Sequence, residues 1–221
     1  MKLVLFDLDN TLLDGDSDFE WAQFLIEKKI LDRANYESRN AEFYRAYQNG
    51  SLDIMEFLDF QLQPLSQYPR YQLNQWHKDF IQEKIHPMIT DSARDLVHRF
   101  KGELIAIVTA TNAFITRPIA DEFGIKHLIA TNLEEEEGEF TGRVSGLPSF
   151  KDGKVTRVES WLRSIGFSMG SFEESLFFSD SVNDIPLLEA VQKAVAVNPD
   201  QKLLAHAELR GWEVLQLHGE F

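Results

Sequence analysis

Residues 2–12 read KLVLFDLDNTL, and this stretch decides the fold. Its apolar run, Leu3 to Phe6, has the length and composition of a strand that is buried on both faces. Asp7 ends the run and Asp9 follows two residues later, so in extended backbone both carboxyls point to the same side. A buried strand that ends in paired acids predicts a ligand site at that edge of a parallel sheet.

Two neighbouring carboxylates limit the chemistry of such a site. They repel each other unless a cation neutralises them, and oxygen ligands favour a hard cation such as Mg²⁺. An aspartate can also act as a nucleophile in phosphoryl transfer, through an aspartyl-phosphate. The same pair could simply cap a turn after the strand, so its meaning depends on the residues farther along the chain.

Further apolar runs alternate with helical stretches through the rest of the sequence. The predicted strands lie at 104–108, 127–130, 175–179 and 193–197, with a further edge strand at 214–217. Phe140–Val144 resembles one arm of a hairpin, with Glu137 and Gly138 near its turn. Alternating strands and helices predict an α/β fold with a doubly wound (Rossmann-like) parallel sheet.

The stretch between the first strand and Pro87 has a helical pattern throughout. Ser17 or Asp18 is a candidate cap for its first helix, and Asp91 or Ser92 for the helix that comes after the stretch. Its aromatic residues at helical intervals fit a bundle core, although a few could line a substrate pocket; they are Phe43, Tyr44, Tyr47, Phe57 and Phe60. We therefore predict a catalytic core of residues 1–13 and 87–221, with an inserted small all-helical cap domain at residues 14–86.

Composition excludes several classes of function. The chain carries 36 acidic and 22 basic residues, a formal net charge of −14, which argues against binding nucleic acid or an anionic membrane. It has no cysteine, so disulfides and thiolate chemistry are absent. The sequence lacks a signal-peptide pattern and a run long enough to span a membrane. We expect a cytoplasmic protein, a monomer by default, that acts on a small molecule.

Polar residues come after the predicted strands at corresponding positions. Asp7 and Asp9 follow the first strand, Thr109 the second and Asp180 the strand at 175–179, while Lys154 opens a helix between the last two. Strand ends of one parallel sheet lie side by side, so these side chains can converge. Phosphoryl transfer needs such a set: a nucleophile, cations that neutralise phosphate charge, donors for its oxygens and a proton shuttle.

With these residues in order, the sequence resembles a known family. FDLDNTL, residues 6–12, matches the DxDxT signature of the haloacid-dehalogenase-like phosphatases. Thr109 matches their second motif, Lys154 their third and SDSVND, residues 179–184, their fourth. The helical insert directly after the first motif resembles the phosphoserine-phosphatase-like branch, subfamily IB. The resemblance covers the whole chain, with the four motifs in order.

The resemblance implies roles for the acids. Asp7 would attack phosphorus, and Asp9 would protonate the leaving oxygen and then activate water. Mg²⁺ would be held by the Asp7 carboxylate, the Asp9 backbone carbonyl and Asp180. Asp184 would support these ligands without binding the metal directly, or would bind it through a water molecule.

The resemblance also implies a phosphate-binding set. The Thr109 hydroxyl and the Ala110 amide would bind phosphoryl oxygens, and Asn183 would help to fix the phosphate. Lys154 would offset the charge of Asp7 and of the phosphate. Thr109-Ala110-Thr111 departs from phosphoserine phosphatases, which usually have a serine and glycines there.

Asp16 is the candidate for substrate recognition. It lies nine residues after Asp7, where phosphoserine phosphatases carry a glutamate that contacts the substrate amino group. Here it would favour an amino-acid or amino-alcohol phosphate, such as phosphoserine or histidinol phosphate; alternatively it is a helix cap or loop acid. The family also uses a cap arginine for the substrate carboxylate, and the candidates are Arg33, Arg39, Arg45 and Arg70.

The motifs leave three functions open. The first is a Mg²⁺-dependent phosphomonoesterase that works through an aspartyl-phosphate. The second is a phosphotransferase that passes the phosphoryl group from Asp7 to an acceptor alcohol, since the same residues would serve both. The third is a non-catalytic binding protein on the same fold.

Overall fold

The computed structural model describes residues 1–219 and is built around a central sheet. Its strands are β1 (Leu3–Phe6), β2 (Leu104–Asn112), β3 (His127–Thr131), β4 (Leu133–Glu136), β5 (Glu139–Val144), β6 (Ser175–Ser179), β7 (Lys193–Val197) and β8 (Glu213–Leu215). In this range six strands form one sheet in the order β3-β2-β1-β6-β7-β8, and all of their pairings are parallel. β4 and β5 form a separate antiparallel hairpin. The predicted fold class and the hairpin are confirmed.

Helices cover both faces of the sheet. They are α1 (Ser17–Glu27), α2 (Arg33–Gln48), α3 (Ile54–Ser66), α4 (Arg70–Phe80), α5 (His86–Met88), α6 (Asp91–His98), α7 (Ala113–Glu122), α8 (Asp152–Ser164), α9 (Ile185–Ala190) and α10 (Gln201–Arg210). A π-helical turn, Ile81–Ile85, joins α4 to α5. On one face Phe6 stacks on Phe178 with ring centroids 4.8 Å apart, and on the other Leu5 packs in a cluster with Val158 of α8 and Leu203 of α10. β1 is completely buried because it lies between these two layers.

Some local predictions were wrong. α1 is capped by Asp16, whose carboxylate accepts a hydrogen bond from the Phe19 amide at 2.8 Å, so neither Ser17 nor Asp18 is the cap. α6 is capped by the Thr90 hydroxyl, which precedes the two candidates predicted there. In both cases the residue just before the candidates has the extended backbone that a cap requires.

Two strand boundaries also differ from the prediction. β2 continues past Val108 to Asn112, with an irregular register against β3 in its last residues. β8 covers Glu213–Leu215 rather than 214–217. The extension of β2 matters for the site because it carries the residues after Thr109 in extended backbone.

The helical segment leaves and re-enters the sheet domain at one place. Leu13 and Ile89 form an isolated antiparallel bridge, and the Asp14 amide donates to the Met88 carbonyl at 2.9 Å. We call this pair of short segments the neck. The predicted division at residues 13/14 and 86/87 lies within or beside the neck, and the division into domains stays a prediction.

Packing crosses that division. Trp21 of α1 and Phe80 of α4 lie edge to face, with ring centroids 5.1 Å apart, in the same hydrophobic cluster as Ile107 of β2 and Ile115 of α7. A smaller cluster joins Phe43 of α2 to Leu52 and to Phe150 before α8. Thus α1 and α4 share the core of the sheet layer. Among the described residues, no helix is long and apolar enough to cross a membrane.

Candidate active site

Lys154 connects the ends of two strands. Its Nζ donates to Asp7 Oδ1 at 2.8 Å and to Asp184 Oδ2 at 2.7 Å, and all three side chains are buried. Asp7 comes directly after β1, and its amide still donates to the Phe178 carbonyl of β6 at 2.9 Å. The first turn of α8 holds Lys154 beneath the strand ends. The structure thus brings the predicted nucleophile, the predicted lysine and one predicted metal-site acid together.

Asp180 is fixed by a hydroxyl from the first motif. The Thr11 Oγ1 accepts from the Asp180 amide at 3.0 Å and donates to Asp180 Oδ1 at 3.1 Å. In the same loop the Ser179 hydroxyl donates to Asp184 Oδ2 at 2.7 Å. These contacts fix Asp180 and Asp184, which both follow β6, beside the end of β1.

Asp9 is held by a different set of donors. Its Oδ1 accepts from the Ser17 amide at 2.7 Å, and its Oδ2 accepts from the hydroxyls of Thr109 at 3.3 Å and Thr111 at 2.9 Å. Thr109 therefore contacts the predicted acid–base residue. Sequence reasoning missed Thr111, and the only signal for it was its position two residues after Thr109 on an extended strand.

The other predicted phosphate-binding residues lie nearby. Ala110 lines a pocket beside these acids, and its carbonyl accepts from the Thr131 hydroxyl at 2.7 Å. The Asn183 side-chain amide donates to the Tyr47 carbonyl at 2.8 Å, which ties it to the end of α2. Its Oδ1 is buried and has no hydrogen-bond partner within residues 1–219.

Burial sets the electrostatics of this group. Burial raises the pKa of Asp7 although Lys154 opposes the shift, and it raises the pKa of Asp184 to about 6 against the same opposition. Burial together with the charges of Asp7 and Asp184 raises the pKa of Asp180 well above its usual range. Burial alone would lower the pKa of Lys154, but Asp184 and Asp7 outweigh it and keep the ammonium charged. The group carries more negative than positive charge once its acids ionise.

The residues present fit a hard divalent cation. No three Asp, Glu or His side chains in the described chain form a metal-binding group by themselves. The predicted ligand set, however, uses only the Asp7 and Asp180 side chains together with a backbone carbonyl. Asp7 Oδ2 and Asp184 Oδ1 are buried without hydrogen-bond partners among residues 1–219, as expected for oxygens that face a cation.

Next to these residues the pocket opens between the sheet and the helical segment. Its cavity volume is ≈ 30 Å³, room for about two water molecules, so the pocket is nearly closed in this structure. Its lining comprises Asp7, Asp9, Asp16, Asp18, Phe19, Asn40, Phe43, Tyr44, Tyr47, Leu52, Ile54, Phe57, Gln61, Thr109, Ala110 and Thr111. Most of the predicted bundle-core aromatics therefore also line the pocket. No Arg or Lys belongs to this lining within the described chain.

Asp16 combines both roles weighed for it. It caps α1 through the Phe19 amide, and it lines the pocket beside Asp9. Burial, followed by the charge of Asp9, raises the pKa of Asp16 to about 7. Burial, followed by the charges of Asp16 and Asp180, raises the pKa of Tyr44 to about 12. This end of the pocket is therefore strongly negative when its acids are ionised.

The candidate arginines lie outside the pocket lining. Arg33 pairs with Glu37, Arg39 with Glu42 and Glu56, and Arg70 with Glu135. Arg45 lies in the last turn of α2 and is also absent from the pocket lining formed by residues 1–219. The structure does not bring a cap arginine to the site.

Comparison with known proteins agrees with this geometry. The family model described as haloacid dehalogenase-like hydrolase matches residues 4–189. A histidinol-phosphatase of Neisseria meningitidis serogroup C is 45% identical, over 97% of this chain and 98% of that protein.

Solved structures give the same picture of the fold. A Bordetella pertussis protein of unknown function has a crystal structure that superposes with a TM-score of 0.92 at 46% identity, covering 98% of this chain and 99% of that one. A substrate-bound phosphoserine phosphatase superposes with a TM-score of 0.70 at 19% identity, covering 97% and 92%. The second likeness concerns the fold alone.

Proposed function

Because the chain belongs to the haloacid dehalogenase-like hydrolase family and is a phosphatase of that family, we propose that it is a Mg²⁺-dependent phosphomonoesterase that hydrolyses histidinol phosphate through an aspartyl-phosphate on Asp7. We further propose a monomer that works in the cytoplasm, without nucleic-acid or membrane partners. The similarity to the Neisseria histidinol-phosphatase supports the choice of substrate.

The composition of the pocket carries this proposal. Asp16 and Asp18 offer carboxylates to a substrate, whereas no Arg or Lys lines the pocket among residues 1–219. Phosphoserine has a carboxylate that would meet these acids without a cation to balance it, at a cost in free energy. Histidinol phosphate has basic nitrogens and no carboxylate. Aromatic side chains such as Phe19 and Tyr44, with ring centroids 5.2 Å apart, also suit a flat ring.

The first chemical step would use Asp7. Its carboxylate attacks phosphorus while Asp9 donates a proton to the leaving oxygen, which yields histidinol and phosphorylated Asp7. A divalent ion held by Asp7, Asp180 and the Asp9 backbone would supply positive charge for the phosphoryl oxygens. Lys154 lies 2.8 Å from Asp7 Oδ1 and orients this carboxylate. Asn183, whose side-chain amide donates to the Tyr47 carbonyl and the Ser181 hydroxyl, would help to fix the phosphate end of the site through these contacts.

The second step would use Asp9 in the opposite direction. It removes a proton from a water molecule, which attacks the phosphorus of the phosphorylated Asp7 and releases inorganic phosphate. Three donors orient the Asp9 side chain, namely the Ser17 amide and the hydroxyls of Thr109 and Thr111. This support keeps one carboxylate in place for both proton transfers.

A comparison of substrates tests the proposed function. We expect the purified enzyme with Mg²⁺ to hydrolyse histidinol phosphate at least about tenfold more efficiently, by kcat/KM, than O-phospho-L-serine. EDTA should abolish both activities and added Mg²⁺ should restore them. Equal efficiency for the two esters, or activity that persists in EDTA, would contradict the proposal.

The intermediate and the acceptor need separate measurements. Rapid acid quenching should trap a phosphoryl group on the peptide that contains Asp7, detected by mass spectrometry. Addition of an acceptor alcohol such as glycerol should not divert phosphate from water. A phosphorylated alcohol as the main product would instead favour the phosphotransferase.

A further inference from the structure

We propose that Asp18 is a specificity-determining residue that binds a second basic nitrogen of the substrate, so that the pocket selects phosphate esters with two such nitrogens. This inference rests on the proposed function. It concerns a residue two positions beyond Asp16, on the first turn of α1.

The surroundings of Asp18 are unusual for an acid at the start of a helix. Such acids ordinarily remain in solvent, where they interact favourably with the helix dipole. Asp18 is only 4% exposed, and its Oδ1 is buried with no hydrogen-bond partner within residues 1–219. An ionised oxygen in this position costs free energy in the free protein, and a cationic ligand in the pocket would offset the cost.

Two buried amides hold the backbone that carries Asp18. The Gln61 side-chain amide, on α3, donates to the Asp18 carbonyl and to Asn40 Oδ1, both at 3.4 Å. The Asn40 side-chain amide, on α2, donates to the Phe19 carbonyl at 3.2 Å. Asn40 and Gln61 are therefore positioning residues, which keep the first turn of α1 fixed against the wall of the pocket.

Asp16 and Asp18 flank Ser17, whose amide donates to Asp9 Oδ1 at 2.7 Å, and both acids line the pocket. After burial, the charges of Asp9 and Asp7 raise the pKa of Asp16, whereas the charges of Asp16 and Asp9 raise the pKa of Asp18. Burial, followed by the charge of Asp16, raises the pKa of Asp18 well above its usual range. Asp16 precedes Ser17 in the chain and Asp18 follows it, where Gln61 and Asn40 fix the first turn of α1 against the pocket wall.

The two acids match the two basic nitrogens of the proposed substrate. In histidinol phosphate the amine lies close to the phosphate ester and the imidazole lies farther along the chain. Asp16 would bind the amine and Asp18 the imidazole ring, which is readily protonated beside a carboxylate because its ordinary pKa is near neutrality. Aromatic walls around the ring would add stacking.

Matched substrates can isolate the contact to the ring. Histidinol phosphate has the amine and the imidazole, phenylalaninol phosphate has the same amine with a phenyl ring, and 3-phenylpropyl phosphate has neither nitrogen. We expect Asp18→Asn to lower kcat/KM for histidinol phosphate about 10- to 100-fold, since a hydrogen bond between charged groups is lost. The same variant should change kcat/KM for the other two esters less than about threefold.

Two further variants serve as controls. Asp16→Asn should lower kcat/KM for both amino esters and leave 3-phenylpropyl phosphate less affected. Glu20→Gln, on the same helix, removes an acid that faces Lys84 at 3.4 Å outside the pocket lining, and it should change none of the three. The thermal midpoint of Asp18→Asn should equal or exceed that of the unmodified protein, because the substitution removes a buried carboxyl group whose Oδ1 has no hydrogen-bond partner among residues 1–219.

The outcomes separate this inference from the proposed function. If Asp18→Asn lowers kcat/KM for all three esters equally, or for none, the inference is wrong while the proposed function stands. If the unmodified enzyme fails to hydrolyse histidinol phosphate, the proposed function is wrong. The role of Asp18 is then tested by the inhibition of p-nitrophenyl phosphate hydrolysis by histidinol. Histidinol should then inhibit the unmodified enzyme at least about tenfold better than Asp18→Asn; equal inhibition would overturn it.

Discussion

Two ends of the candidate site contain similar acids in different surroundings, and the first of them reaches the pocket lining through Asp7. At the reaction end, formed by Asp7, Asp180, Asp184 and Lys154, the ammonium lies within 2.8 Å of two carboxylates. At the recognition end, formed by Asp16 and Asp18, no Lys or Arg of residues 1–219 lines the pocket, and an oxygen of Asp18 lacks a partner there. The reaction end and Asp18 are buried and Asp16 is partly buried, so burial alone does not distinguish the two ends.

The difference shows how charge can be divided between an enzyme and its substrate. At the reaction end a cation of the chain itself, Lys154, contacts two carboxylates without any ligand. Acids without such a cation are stabilised only when the ligand provides one, so they favour one class of ligand over others. In the proposed function, the same residue type would serve chemistry at one end and selection at the other.

The largest expected effect comes from removing the nucleophile at the reaction end. Asp7→Asn should lower kcat for an aryl phosphate by at least about a thousandfold, because the amide cannot form the phosphorylated intermediate. Circular dichroism should show an unchanged fold. Retained hydrolysis by the pure variant would show that the reaction end does not work through Asp7.

Removing the cation from the reaction end tests the comparison directly. Lys154→Met should lower the free energy of unfolding by about 3–5 kcal/mol, since two buried carboxylates lose their partner. Urea denaturation of the metal-free protein would measure this change. Lys101→Met, at an exposed lysine, is the matched control and should have little effect. If Lys154→Met lowered the free energy of unfolding only slightly, the proposed difference between the two ends would be wrong.

The pH dependence of stability should reveal the recognition end. Folding raises the pKa of Asp16 from 3.8 to about 7, so the folded protein binds a proton that the unfolded chain releases between these values. Stability of the metal-free protein should therefore fall as pH rises through this window. Asp16→Asn combined with Asp18→Asn should reduce the slope, measured by urea denaturation at several pH values; an unchanged slope would contradict the charge assignment.

The smallest expected effect concerns the loop that closes the pocket after α2. Lys202 Nζ donates to the Asn49 carbonyl at 2.7 Å and Lys151 Nζ to the Gly50 carbonyl at 3.0 Å, so two ammonium groups meet the C-terminal end of α2. Lys202→Met should raise KM by about two- to fivefold, the size of one helix-terminus interaction, with little change in kcat. A large fall in kcat would instead indicate that this loop affects the chemical step at the reaction end.

The reaction end could be predicted from the sequence because its residues come after apolar strands. Asp7, Asp180 and Lys154 each take their position from a strand end or helix start that is visible as a change from apolar to polar residues. Parallel pairing of β1 with β6 then brings the two acids close together. The pairing of these two strands is therefore enough to bring Asp7 and Asp180 together.

At the recognition end, the family resemblance indicated Asp16 but nothing in the sequence indicated Asp18. Asp18 reads as an ordinary acid in the first turn of a helix, and only the packing of α2 and α3 against it buries the side chain. Thr111 escaped notice because the prediction ended β2 before it. The sequence did not distinguish Asp16 from Ser17 or Asp18 as the cap of α1, because each of these residues can adopt the extended backbone of a cap.

The neck has a consequence for how such enzymes could diversify. Because the Leu13–Ile89 bridge brings both ends of the helical segment together, recombination could exchange everything between them through a single junction. Trp21 and Phe80 would restrict the exchange, since their rings are embedded in the shared core. Leu58, Leu62 and Leu65 of α3 lie in the same core. A productive graft would therefore retain α1, α3 and α4 and exchange α2, which would alter the aromatic wall of the pocket at Tyr44 and Tyr47 while keeping Asp16 and Asp18.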